Sequence, residues 1–283
     1  MAFSKISEYI TTGDGSAGTL LIPKLIMPPL IEAVNKALLP REMAAMVKTG
    51  FEGASFSVNL VTPTSNKVNI VAEGAEIPVG AIDFSAITFT PRKYGVSIRI
   101  TREMMEDSQF DILQNNLKEV GKRFAENETS LILTALDGAA NTVTGGAALT
   151  IANISTAILN IHNNDYEPTD MIIGFEVLND LQNIDTFVEA DKAGNTEMMN
   201  RGFIGTIFGM KVAKFSTNAA PSTTYAKYAY VFDRSQAYGI AIKRDVTVEN
   251  FTKPDYDMEG AAITQRIDVQ LLRSTAVCNI TTT

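Results

Sequence analysis

The chain has 283 residues, 45% of them hydrophobic, enough for two compact units or one elongated one and too apolar for wholesale disorder. A formal charge of −8 argues against a general nucleic-acid binder, which needs clustered Lys and Arg to neutralise phosphates. Cys278 is the single cysteine, which excludes an intrachain disulfide and a multi-cysteine zinc site.

Met1 to Ile10 lacks the basic flank and apolar block of a secretion signal. No stretch approaches the roughly eighteen consecutive apolar residues of a membrane span, so a soluble protein made in a cytoplasm, with no membrane partner, is expected. Residues 1–50 read as an arm. Gly13-Asp14-Gly15-Ser16-Ala17-Gly18 is too polar and glycine-rich to pack, and Leu21, Ile22, Ile26 and Met27 sit among prolines that prevent regular helix or central strand. Apolar but irregular segments of this kind lie across another surface. A short helix is expected over Ile31 to Leu39.

Phe56, Val58 and Leu60 alternate with small polar residues, and so do Tyr94, Val96, Ile98 and Ile100. Between them lie Gly-, Pro-, Ala- and Ser-rich residues with no apolar run able to form a core. A two-stranded arm of about twenty residues each way would reach about 65 Å. A lone hairpin of that length is marginal in water, so something outside the subunit must hold it.

A long helix follows, with Ser108 as cap. Phe110, Leu113, Leu117, Val120, Phe124 and Leu131 form its apolar stripe, Lys118, Glu119, Lys122, Arg123 and Glu126 its charged face, and Gly138 its terminator. From 141 to 243 short elements alternate. Helices are expected around Ile154–Ile161 and Glu176–Gln182, with strands at Met171–Gly174, Ile207–Ala213 and Tyr228–Phe232. Asp191 to Gly205 reads as a loop. Val246 and Val248, then Ile263 to Leu271, read as strands flanking a charged loop, Phe251 to Gly260. Their expected partners are the strands at Tyr94–Thr101, which would join the two ends of the chain around an inserted domain.

The motif census contains no active site. Gly13 to Gly18 matches the dinucleotide fingerprint but lacks the strand before it and the helix after it. His162, the only histidine, reads as an exposed residue near a helix end, and Cys278 as a buried inert thiol. Glu73 with Glu76 and Asp255 with Asp257 lie in loops, where nothing would raise the pKa of one carboxylate above that of its neighbour. The triplets at Asn127, Asn153, Asn250 and Asn279 are chance glycosylation matches without a secretion signal. No catalytic, cofactor-binding or metal-binding residue is expected.

Several segments in order resemble the major capsid proteins of tailed phages and prophages, with the Hong Kong 97 capsid fold. Ser16-Ala17-Gly18 through Ile26-Met27-Pro28 resembles the N-terminal arm, and Val71-Ala72-Glu73-Gly74-Ala75-Glu76-Ile77-Pro78 the tip of the extended loop. Arg102 to Asp107 resembles the lead into the spine helix. Gly209-Met210-Lys211-Val212 with Val231-Phe232-Asp233 resembles the axial domain, and Arg266 to Arg273 the returning peripheral strand.

The resemblance implies an α+β chain divided into an N-terminal arm (1–50), an extended β-hairpin loop (51–98), a peripheral domain with the spine helix (99–140 and 244–283) and an inserted axial domain (141–243). It implies a structural subunit of pentamers and hexamers in an icosahedral shell, a virion component assembled in the host cytoplasm. The shell would enclose double-stranded DNA without sequence-specific binding. Partners would be further copies of the chain, a portal, and separate scaffolding or decoration proteins. Intersubunit contact is expected at Leu21, Ile22, Ile26, Met27, Glu73, Glu76, Ile77 and Pro78.

Some family members weld subunits by an isopeptide bond between a loop lysine and an asparagine, assisted by a glutamate. The aligned positions hold Ile77, Asp257 and Thr264, so a shell without covalent crosslinks is expected. The chain opens almost directly with the arm, so scaffolding is expected to be a separate protein or dispensable. Two other readings compete. An encapsulin-like compartment would package a cargo enzyme, and a soluble enzyme would keep its site in 141–243.

Overall fold

The computed structural model describes Leu39 and residues 41–62, 70–71, 73–74, 76, 83–107, 112–183, 203–215 and 219–282. In chain order the elements are β1 (Met46–Thr49), β2 (Phe56–Thr62), β3 (Asp83–Phe89), β4 (Arg92–Thr101), α1 (Arg102–Asp107), α2 (Ile112–Leu136) and β5 (Asn141–Thr144). Then follow α3 (Ile151–His162), β6 (Asp170–Ile173), α4 (Phe175–Gln182), β7 (Phe203–Ile207), β8 (Met210–Lys214) and β9 (Tyr228–Phe232). The chain closes with β10 (Tyr238–Lys253), β11 (Met258–Leu271) and β12 (Val277–Thr281). They form a four-stranded sheet, β1-β10-β11-β4, a six-stranded sheet, β5-β12-β9-β6-β8-β7, and a two-stranded ribbon, β2-β3.

Strands of the six-stranded sheet are covered on both faces, and alternation divides their side chains between two cores. Met171, Ile173, Ala229 and Val231 face a cluster with Ile154, Ala157 and Ile161 of α3 and Val177 and Leu181 of α4. Ile172, Tyr230 and Phe232 face a second cluster, which also holds Ile240, Ile242, Ile267 and Val269 of the four-stranded sheet. Thr150 fixes the start of α3, its hydroxyl accepting from the amide of Asn153 at 3.3 Å. Gly174 is required before α4, because a Cβ there would lie 2.1 Å from the carbonyl oxygen of Ala226.

The long helix α2 joins the two sheets. Leu117, Val120 and Phe124 pack with Ile263 on the four-stranded sheet. Further along, Ile132, Leu133 and Leu136 enter the core between the sheets. Its 25 residues make a rod of about 37 Å. The expected stripe is therefore present at Leu117, Val120 and Phe124. Ser108 and Phe110 lie outside the described residues. Glu126 departs from the charged face: it is 7% exposed and held by Arg123 at 3.1 Å.

Pairing confirms that the last long strand meets the one before α1, with Ile263 opposite Val96 and Met258 opposite Thr101. Four expectations are corrected. Phe56, Val58 and Leu60 pair with Phe89, Ile87 and Ser85, not with Tyr94 to Ile100, because Thr90 and Pro91 turn the chain from the ribbon into the four-stranded sheet. The apolar run at Ile207–Ala213 is a hairpin, turned by Phe208 (φ 49°) and Gly209 (φ 82°), and β7 takes Phe203 to Gly205 out of the expected loop. The charged stretch Phe251 to Gly260 is mostly strand: only Pro254 to Asp257 turns, with Asp257 left-handed at φ 47°. Finally, β12 lies between β5 and β9, so residues 277–281 belong to the sheet of the inserted domain and not to the peripheral segment 244–283. The expected helix at Ile31 to Leu39 lies outside the described residues except for Leu39, which is buried.

Candidate assembly surface

Strand periodicity gives the ribbon two unlike faces. Phe56, Val58 and Leu60 are half-buried on one, whereas Val61 and Phe84, paired across the strands, are exposed on the other, Phe84 at 68%. An exposed cross-strand pair of this size is apolar area with no partner among the described residues.

The base of the ribbon is fixed. The ring of Phe56 stacks on Phe89 at 5.2 Å and meets Phe51 at 5.4 Å. Phe89 is fully buried against Gly239, where a Cβ would stand 3.0 Å from the ring. The amide of Thr90 donates to Asp268 at 2.7 Å, and Arg273 donates to the carbonyl of Val61 at 2.7 Å. Lys243 donates to the carbonyl of Gly53. These bonds run the ribbon toward the Leu271–Arg273 end of β11.

Of the expected contact residues, Glu73 and Glu76 are exposed at the ribbon's loop, beside a fully exposed Ile70. Leu21, Ile22, Ile26, Met27, Ile77 and Pro78 lie outside the described residues. Of the aligned crosslinking positions, Asp257 occupies the β10–β11 turn 3.4 Å from Arg102, and Thr264 is 8% exposed, 3.2 Å from the hydroxyl of Thr247. Asp257 offers no amide where the bond needs one, and Thr264 no carboxylate where the bond needs a base.

Two buried ion pairs escaped the sequence reading. Arg41 grips Glu128 with two bonds of 2.7 and 2.8 Å, and Gln265 adds a third to the same carboxylate at 3.3 Å. The hydrogen bond to Glu128 raises the Arg41 pKa. This clamp ties the segment before β1 to α2 and β11. Arg234 grips the fully buried Asp170 with bonds of 2.9 and 2.8 Å. Their sequence separations of 87 and 64 leave no local spacing to read.

A cleft of about 580 Å³ beside the second pair includes Glu167, Thr169, Asp170, Lys211, Asp233 and Arg234. Several of its polar groups are occupied with one another: Asp170 by Arg234 and Thr169, and one oxygen of Asp233 by Ser235. That is structural bonding, not a nucleophile with a free base. Burial pushes the Cys278 thiol up to about 11, so it is protonated near neutrality and a poor nucleophile. His162 is exposed. Among the described residues no group of His, Cys, Asp or Glu is placed to hold a metal, and no helix is long and apolar enough to cross a membrane.

A long helix thus bridges two sheets, and a two-stranded ribbon is anchored to one of them. The Phage capsid family model matches residues 18–282, and the chain belongs to that family. The fold is similar to solved structures from Mycobacterium phage Che8 (TM-score 0.64, 15% identity, 81% of this chain and 85% of that one). The capsid of a native GTA particle is as similar (TM-score 0.64, 15% identity, 88% and 90%). A virus-like particle from Pyrococcus furiosus also matches (TM-score 0.62, 13% identity, 91% and 98%). No curated protein matches the chain in sequence. The chain is thus a structural capsid protein with the Hong Kong 97-like fold, a virion component that self-associates, and not an enzyme.

Proposed function

We propose that the chain is the major capsid subunit of a tailed phage or prophage, forming pentamers and hexamers of an icosahedral shell around double-stranded DNA. The observation that carries this reading beyond family membership is the anchored ribbon whose far face offers Val61 and Phe84 to solvent. A subunit that holds such an arm rigidly at its base presents it to a neighbour. Residues 1–50 serve as the arm and 51–98 as the extended loop. Residues 99–140 with 244 to about 276 serve as the peripheral domain, and 141–243 joined by β12 as the axial domain. Leu21, Ile22, Ile26, Met27, Glu73, Glu76, Ile77 and Pro78 lie at intersubunit contacts. The shell is held without isopeptide crosslinks and is assembled in the host cytoplasm, with a portal and separate scaffolding or decoration proteins as partners.

Negative-stain electron microscopy with light scattering tests this on the full chain. Closed shells tens of nanometres across, or rings of five or six subunits, are expected. A monomer of 30.7 kDa under all salt and pH conditions would refute it. A ladder of linked subunits after boiling in detergent would refute the non-covalent shell alone.

The second reading, a compartment for a cargo enzyme, is favoured by the match to the Pyrococcus furiosus particle. Nuclease-protected DNA inside purified particles supports the phage reading, and a stoichiometric enclosed protein supports the compartment.

A further inference from the structure

The ribbon is tied to the rest of the subunit at two heights. At its root Phe56 stacks on Phe89, and Phe89 packs against Gly239. The bonds from Thr90 to Asp268 and from Lys243 to Gly53 hold the chain just outside the two strands. Higher up there is a single bond, from Arg273 Nη2 to the carbonyl of Val61 at 2.7 Å. Val61 stands about 17 Å along β2 from Phe56. β3 rests on β11, but among the described residues no other hydrogen bond joins β2 or β3 to the body. A two-stranded ribbon is marginally stable by itself, so a root contact alone leaves its direction loose. The second point, farther out, fixes that direction.

The donor is itself held in place. Arg273 Nε donates to Gln236 Oε1 at 3.0 Å. The amides of Leu272 and Arg273 donate to the carbonyl of Ala237 at 2.8 and 3.4 Å. Gln236 and Ala237 belong to the loop between β9 and β10, which links the six-stranded sheet to the four-stranded one. The planar guanidinium, fixed through Nε, therefore aims Nη2 at one place. A charged donor also makes a stronger bond to a carbonyl than a neutral one does.

We infer that Arg273 is the positioning residue of the ribbon, setting its angle to the body and, through that angle, the size of the assembled particle. The inference rests on the capsid reading and names the residue that governs its geometry. A closed shell repeats one contact geometry from copy to copy. A swing of about 10° at the root moves a point 17 Å along the ribbon by about 3 Å, more than a specific contact tolerates. Val61 and Phe84, exposed on the outer face, move with it. Arg273 grips the backbone of Val61, so it controls the placement of that face without touching the apolar side chains.

Arg273→Ala in the full chain tests this with two readouts. In unassembled subunits, hydrogen exchange of the β2 and β3 amides should rise about tenfold, while β9 and β12 keep their rates. Particles should still form, with a spread of diameters about twofold wider by electron microscopy. Gln236→Ala keeps Arg273 but frees its guanidinium, and should shift both readouts less, in the same direction. Folded Arg273→Ala subunits with unchanged ribbon exchange, or with particles of unaltered uniform diameter, overturn the inference. A loosened ribbon with no particles at all also overturns it, because the strap would then decide whether copies assemble and not at what size. Should Arg273→Ala fail to fold, Gln236→Ala decides: unchanged exchange and diameters overturn the inference, and a shift in both supports it. Absence of particles from the unaltered chain would instead sink the capsid reading, and the link to size with it.

Discussion

Arg41 and Glu128 show how a single pair fixes the entry of the chain into the fold. The Glu128 carboxylate is 1% exposed and has three donors, so its charge is compensated only while Arg41 stays. Arg41→Ala strands that charge and is expected to lower stability by about 3 kcal/mol in urea denaturation. Cys278 sets a limit at high pH. Burial raises its pKa from 9.0 to about 11, so the folded state disfavours the thiolate. Its contribution to stability is full below pH 9.0, where the unfolded thiol is also protonated, and is lost as pH rises toward about 11. Tyr225 acts in the same sense at higher pH, pushed up to about 12 by burial and then by its hydrogen bond to Asp137. In Cys278→Ala the fall in unfolding free energy between pH 9.0 and 11 should be shallower than in the unaltered chain.

At the scale of elements, the ribbon separates folding from assembly. Its base, with Phe56, Phe89 and Gly239, belongs to the subunit; its far face, with Val61 and Phe84, does not. Phe84→Ser should leave thermal unfolding of the subunit nearly unchanged, within about 0.5 kcal/mol, while reducing particle yield. Equal losses in both would assign Phe84 to the core. Elements with undisturbed periodicity were legible in the sequence. The Ile154, Ala157 and Ile161 spacing gave α3, the strand residues of Tyr228–Phe232 gave β9, and Leu117, Val120 and Phe124 gave the middle of α2. The β7–β8 turn was hidden because Phe208 carries no turn signal and takes a left-handed conformation beside Gly209. The wrong partner for β2 came from two runs that share one alternation: period alone says which face is covered, not which strand covers it. Cross-strand neighbours such as Arg266 and Lys93 were illegible for the same reason, since they meet only once the register is set.

At the scale of the whole molecule, the two larger sheets and α2 share one core. Ile172 and Tyr230 from one sheet, Ile240 and Ile267 from the other, and Leu133 from α2 meet in a single cluster. No plane of weak packing separates the sheets there, so the described body should resist hinging between them. Under the proposed function, contacts between copies are carried on projections from that body.

The position of β12 has a consequence in time. The strand β5 is joined to its sheet only through residues 278–281, and β9 gains its second neighbour from the same segment. The six-stranded sheet therefore cannot close until residues 277–281 have left the ribosome, after every other strand of the sheet, at a synthesis rate of about 5–20 residues per second. A growing chain can display its ribbon early, yet the body that steadies it is completed last. Polymerisation is thereby withheld from growing chains that do not yet have β12.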